Sequence, residues 1–199
     1  MQIPTKKQCY QLIAEMGMPD HIVAHSVQVC RVSTLLADHL KIQNAILNRD
    51  LVQASALLHD ITKIRSFKTG ENHAETGGAL LAGMGFPEVG RIIAQHVFLD
   101  IYDYTSPPTE AEIINYSDKR VLHDTIAPLG QRMDYILQQY GKTQEHHQRI
   151  RELWERTNTL EDKLFRHLPF SPEDVSGLSE SGKIKCQALE GECHICLGL

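Results

Sequence analysis

An unbroken apolar stretch, Ala56-Leu57-Leu58, runs straight into a histidine and an aspartate, His59-Asp60, and then into Ile61-Thr62-Lys63. This is restrictive, because a carboxylate carried into an apolar interior is costly unless it is paired or coordinates a metal. Neighbouring residues on a helix point about 100° apart, so His59 and Asp60 can close on one ion lying between them at a helix end. The simplest account of the pair is a cation, with further ligands arriving from elsewhere in the chain. His25, His73, His96 and Asp118 are the candidates, most of them flanked by apolar residues at helical spacing.

The surrounding pattern predicts helices throughout. Thr5 to Met16 forms a short one, ended at Gly17. Asp20 caps a long helix reaching about Leu40, whose stripe of Ile22, Val23, Val29, Val32, Leu35 and Leu36 contains His25. Arg49 to His59 is short and strongly apolar, and should be central and buried. Thr62 to Glu71 is polar, contains Gly70, and reads as a loop bordering the site. Asn72 and Glu75 resemble a capping box that places His73 in a first turn, and Gly77-Gly78 permits close backbone packing. Pro87 opens the next helix, with His96 one turn beyond Ile92 and Ile93 and so facing the same interior. Phe98 to Pro108 is an irregular linker. Its Tyr102 and Tyr104 either face substrate or pack back on the domain. Thr109 and Glu112 form a capping box for a helix running to Leu122, with Asp118 on its apolar face. Leu129 to Tyr140 is helical and ends at Gly141. Thr143 to about Leu168 is long and charged with a sparse apolar stripe; its charges read as a solvated face, and it could serve as a homodimer surface. No run alternates with the period of a strand, so the expected fold is all-α, a compact helical bundle.

At 199 residues the chain suits a single domain with a sizeable core. We expect that domain over 1–168, with its core at about 19–141, followed by a linker and tail over 169–199. The formal net charge of −5 carries no footprint of a binder of long nucleic acid, so a small phosphorylated substrate is the easier partner. No run is long enough to span a membrane. The start of the chain, Met1 to Lys7, lacks the apolar segment of a signal peptide, so the expected compartment is the cytoplasm. Cys9 and Cys30 fall in helical patterns as small buried hydrophobes. Cys186, Cys193, His194 and Cys196 cluster in the tail; their spacing departs from a paired Cys-x-x-Cys framework, and a flexible, reduced tail is favoured over a zinc site.

The succession His25, His59-Asp60, Asp118 resembles the HD superfamily of metal-dependent phosphohydrolases. The resemblance spans roughly Pro19 to Gly141, and Ile114 to Val121 is similar to the family's last motif. His73 and His96 fall where the two-metal branch of that superfamily places its extra ligands. The resemblance implies one metal held by His25, His59, Asp60 and Asp118, and a second held by His73 and His96 with Asp60 bridging. A set of nitrogen and oxygen donors suits iron, manganese, cobalt, nickel or magnesium, and the resemblance favours iron or manganese. The implied reaction is attack of a metal-activated hydroxide on phosphorus, with Asp60 and Lys63 as the catalytic residues. Lys63, in the pattern His-Asp-x-x-Lys, would contact a phosphate, and Lys119 would assist; Arg120 projects away from Asp118 and is the weaker candidate. The Gly-Tyr-Pro motif of the cyclic di-guanylate branch is absent, since Val97 and Phe98 follow His96. In size and ligand set the chain looks closest to the small two-metal group that includes symmetrical dinucleoside tetraphosphate hydrolases. The competing readings are a non-catalytic HD-fold sensor module that binds metal and ligand, and a di-iron HD oxygenase.

Overall fold

The computed structural model describes residues 2–42, 45–166 and 168–180. The tail cysteines and His194 lie outside the described residues. The architecture is all-α, with one minute hairpin. In chain order the elements are α1 (Lys6–Glu15), α2 (Asp20–Ile42), α3 (Arg49–Leu58), α4 (Lys63–Thr69), α5 (His73–Gly83), α6 (Pro87–Ile93), α7 (Glu110–Lys119), β1 (Val121–Leu122), β2 (Thr125–Ile126), α8 (Leu129–Tyr140), α9 (Gln144–Phe165), a 3-10 turn (Pro172–Asp174) and α10 (Val175–Glu180). Among the described residues no helix is long and apolar enough to cross a membrane.

The expected centre is the observed one. Asn48 caps α3 by accepting from the amides of Asp50 and Leu51, and Leu51, Val52, Ala54, Ser55, Ala56, Leu57 and Leu58 are all buried. A helix buried on nearly every face must be surrounded, and α3 packs against α1, α2, α6 and α7. The capping box expected at α7 forms between Thr109 and Glu112, and the structure adds another at α1, between Thr5 and Gln8. At α5 Asn72 accepts from Ala74 N, but Glu75 accepts from the Asn72 side chain rather than closing a reciprocal box.

Helices α5 and α6 meet backbone to backbone through Gly78 and Gly90. A Cβ on Gly90 would lie 2.4 Å from Gly78 O, and one on Gly78 would lie 2.7 Å from Gly90 O. Both obstacles are backbone, so neither can swing aside. Gly90→Ala should therefore destabilise the fold by about 1–3 kcal/mol, the usual cost of overpacking, despite the better helix propensity of alanine. Urea unfolding checks this; an unchanged midpoint would mean that the crossing is looser than it looks.

Two expectations are corrected. The predicted loop Thr62 to Glu71 contains α4. This helix buries none of its residues, so it has no apolar stripe to read, and it closes on Gly70 in the left-handed region (φ 72°). The helix predicted to reach Leu122 stops at Lys119, because Val121–Leu122 pairs antiparallel with Thr125–Ile126 around His123, whose φ is 56°. Two-residue strands are too short to show alternation. Beyond Pro169 the described residues pack on the domain: Phe170 lies against the core, Val175 is fully buried, and Pro172 O accepts from Arg120.

Candidate metal centre

Helices α3, α6 and α7 deliver their C-terminal ends to one place. His59 and Asp60 follow the last residue of α3, His96 comes three residues after α6, and Asp118 lies in the last turn of α7. Helix C-termini carry partial negative charge and favour cations. His25 enters from α2, and His73 is the first residue of α5. Thr62 fixes the last of these: its hydroxyl donates to His73 O at 2.8 Å and accepts from Thr76 at 3.1 Å, tying the turn after Asp60 to the start of α5.

The ring nitrogens are assigned by what they face. Nδ1 of His25 lies 2.8 Å from His123 O, Nδ1 of His59 lies 2.8 Å from Ala56 O, and Nδ1 of His96 lies 2.7 Å from Ile93 O. A carbonyl can only accept, so each Nδ1 donates, and each neutral ring then presents an Nε2 lone pair inward. Those lone pairs meet other acceptors. His25 Nε2 is 3.0 Å from Asp118 Oδ1, His59 Nε2 is 3.4 Å from Asp60 Oδ2, and His96 Nε2 is 3.6 Å from Asp60 Oδ1. His73 Nε2 lies 3.0 Å from His96 Nε2 and 3.3 Å from Asp60 Oδ1. His59 Nε2 and Asp60 Oδ1 are buried with no hydrogen-bond partner among the described residues.

This is a concentration of electron pairs in which, among the described residues, Lys63 supplies the cation, its Nζ reaching Asp60 Oδ2 at 2.7 Å. The same imbalance also pulls on protons. Burial alone would lower the pKa of His59, but the Asp60 and Asp118 carboxylates outweigh it and push the ring up to about 10. Burial would raise Asp60, and the surrounding imidazoles, led by His59, instead hold it well below the usual carboxylate range. Asp118 is held down in the same way by His25 and His59. Burial keeps the pKa of His96 low. Two overlapping groups have ligand atoms close enough to share one ion: His25, His59 and Asp60, and Asp60, His73 and His96. Asp60 belongs to both. Orphaned acceptors, rings oriented by backbone carbonyls, and a donor set of nitrogen and oxygen fit a divalent cation.

All six expected ligands are thus brought together, and Lys63 joins them. Lys119 is not. Its Nζ is buried and donates to His96 O, Val97 O, Asn115 O and Asn115 Oδ1 at 3.0–3.2 Å. It clamps the chain beyond His96 onto α7 and has no donor left for substrate. Burial lowers its pKa to about 8, with Asp118 opposing. Lys119→Met should cost about 1–3 kcal/mol per stranded carbonyl that water cannot reach, seen as a lower thermal midpoint. A change confined to KM would instead restore Lys119 to the site. Arg120 is also buried, bonded to Tyr116, Ala127 O and Pro172 O. Tyr102 and Tyr104 pack back: Arg156 stacks over Tyr102 at 4.9 Å and Tyr104 donates to Arg156 O. His21 is exposed.

Two supports escaped the sequence reading. His123 contributes a carbonyl rather than a side chain, presented by a left-handed turn that histidine tolerates better than most residues. Thr62 acts through a hydroxyl bond eleven residues along the chain. Neither leaves a local signature.

An all-α domain with a largely buried cluster of four histidines and two aspartates defines a helical protein whose site could hold a divalent metal. Residues 22–120 match the family of the HD domain, a span that includes all six of those residues. The chain belongs to the HD superfamily of metal-dependent phosphohydrolases. No curated protein and no solved structure matches it.

Proposed function

We propose that the protein is a metal-dependent phosphohydrolase that cleaves a phosphoester or phosphoanhydride bond of a small substrate, most simply a nucleotide. One observation carries the reading: buried acceptors, His59 Nε2 and Asp60 Oδ1 above all, converge with no hydrogen-bond donor to either among the described residues. His25, His59, Asp60 and Asp118 would hold one divalent cation, and Asp60, His73 and His96 a second, with iron or manganese favoured by the donor set and the family. When bound, such cations supply Lewis acidity and bring the pKa of water toward neutrality.

The chain's own residues do the rest. The Nδ1 bonds of His25, His59 and His96 to carbonyls hold the rings against rotation, so the site is ordered before substrate arrives. Burial of His59, Asp60 and His96 keeps bulk water from the inner wall. Lys63 stands at the open side with its side chain 28 % exposed. It neutralises Asp60 and can donate to a phosphate oxygen, where negative charge gathers as the leaving group departs.

The test is release of phosphate or nucleotide from a panel of nucleoside mono-, di- and triphosphates, cyclic nucleotides and dinucleoside polyphosphates. The protein is supplied with manganese or iron, then treated with chelator. Release that is lost on chelation and restored by metal is the expected result. No release from any substrate by protein shown to carry metal would reject hydrolysis in favour of ligand sensing or oxygen chemistry.

A further inference from the structure

Beside the six-ligand cluster lies a cation that, among the described residues, has an aromatic neighbour and no anionic one. Arg132 is on α8, and its guanidinium forms no hydrogen bond or ion pair among the described residues, although its Nε is shielded from solvent. A buried, unsatisfied donor on a charged group is costly, and a surface arginine would normally turn to water. Instead the guanidinium is laid over Tyr135, 5.7 Å from the ring centroid. Tyr135 packs edge-on against His123 at 5.2 Å, and His123 O holds Nδ1 of His25. The stack therefore runs contact by contact from Arg132 to a wall of the metal centre. What this guanidinium lacks is an anionic partner, and the stack sets it beside the cluster where a phosphorylated substrate would bind.

We propose that Arg132 binds a substrate phosphate other than the one attacked, so that the substrate carries two or more linked phosphates. This rests on the phosphohydrolase reading and narrows it. Lys63, on the Asp60 carboxylate, serves the reacting phosphate. Arg132, stacked flat on Tyr135, offers the planar fork that grips a second phosphate through two parallel bonds.

The experiment measures binding, so that it does not depend on turnover. Manganese-equilibrated protein is titrated calorimetrically with inorganic pyrophosphate and with orthophosphate, with manganese matched in cell and syringe, for wild type, Arg132→Gln and Arg132→Lys. Thermal unfolding of each variant checks that it is folded. The wild type should bind pyrophosphate at least about tenfold more tightly than orthophosphate, as expected for an added charge-assisted pair. Arg132→Gln should lose that margin while leaving orthophosphate binding within about twofold, and Arg132→Lys, which keeps the charge without the fork, should retain part of it. Equal affinity for the two anions in the wild type, or a margin that survives in Arg132→Gln, overturns the proposal. Should the margin behave as expected while the nucleotide panel shows no metal-dependent release, Arg132 keeps its role and the hydrolytic reading alone fails.

Discussion

Asp60→Asn should empty the metal centre and cut turnover by at least about 100-fold, since losing even an outer partner of a metal ligand costs about 10–100-fold. Asparagine keeps the shape and removes the charge. Asp60 is the carboxylate common to both ligand groups: its Oδ1 faces His73 at 3.3 Å and His96 at 3.6 Å, and its Oδ2 faces His59 at 3.4 Å. The amide nitrogen of asparagine would also set a donor against Lys63, now 2.7 Å from Oδ2, or against one of the rings. Elemental analysis and phosphate release should fall together, with circular dichroism unchanged. Near wild-type turnover in this variant would mean that Asp60 is not the shared ligand.

The second large effect is on stability and lies away from the site. Lys163→Met should destabilise the protein by about 3–5 kcal/mol, the cost of stranding a buried charge. For a domain of this size that lowers the thermal midpoint by about 6–20 °C. Lys163 Nζ reaches both Glu112 oxygens, at 2.6 and 2.8 Å, and Asp103 O at 2.7 Å, and both side chains are buried. It joins α9 to the capping box of α7 and to the linker after His96. Without it Glu112 keeps the amide contacts of its own cap and no counter-charge. The double variant Lys163→Met with Glu112→Gln should recover more than half of the loss, because no buried charge is then left alone. Simple addition of the two single losses would argue against a coupled pair.

Lys163 also shows where sequence reading fails. It lies in a helix dense in charge, and such a run reads as a solvated face; only the facing Glu112, fifty-one residues away, turns one of those lysines inward. Lys119 fails in the opposite direction. Adjacency to Asp118 suggested a shared site, but neighbours on a helix diverge by about 100°, and Lys119 turned to the carbonyls beyond His96. What was legible rested on long periodic stripes, as in α2, α3 and α7, and on the costliness of His59-Asp60 behind an apolar run. His25, His59, Asp60, His96 and Asp118 meet for that reason, as polar groups that the helical pattern sends inward; His73, in the first turn of α5, was reached through the family resemblance. Helix α4 and the β1–β2 hairpin were not legible, the first because it buries nothing and the second because two residues cannot display a period. The orphan Nε of Arg132 depends on which side chains fail to arrive, and no local pattern encodes that.

The most direct measurement is the number of manganese ions retained per chain after equilibrium dialysis, read by elemental analysis against Asp60→Asn. Two ligand groups sharing Asp60 call for two ions per chain in the wild type and a loss of both in the variant. Wild-type protein that is folded and retains no more manganese than the variant would contradict the assignment of this cluster as a metal centre.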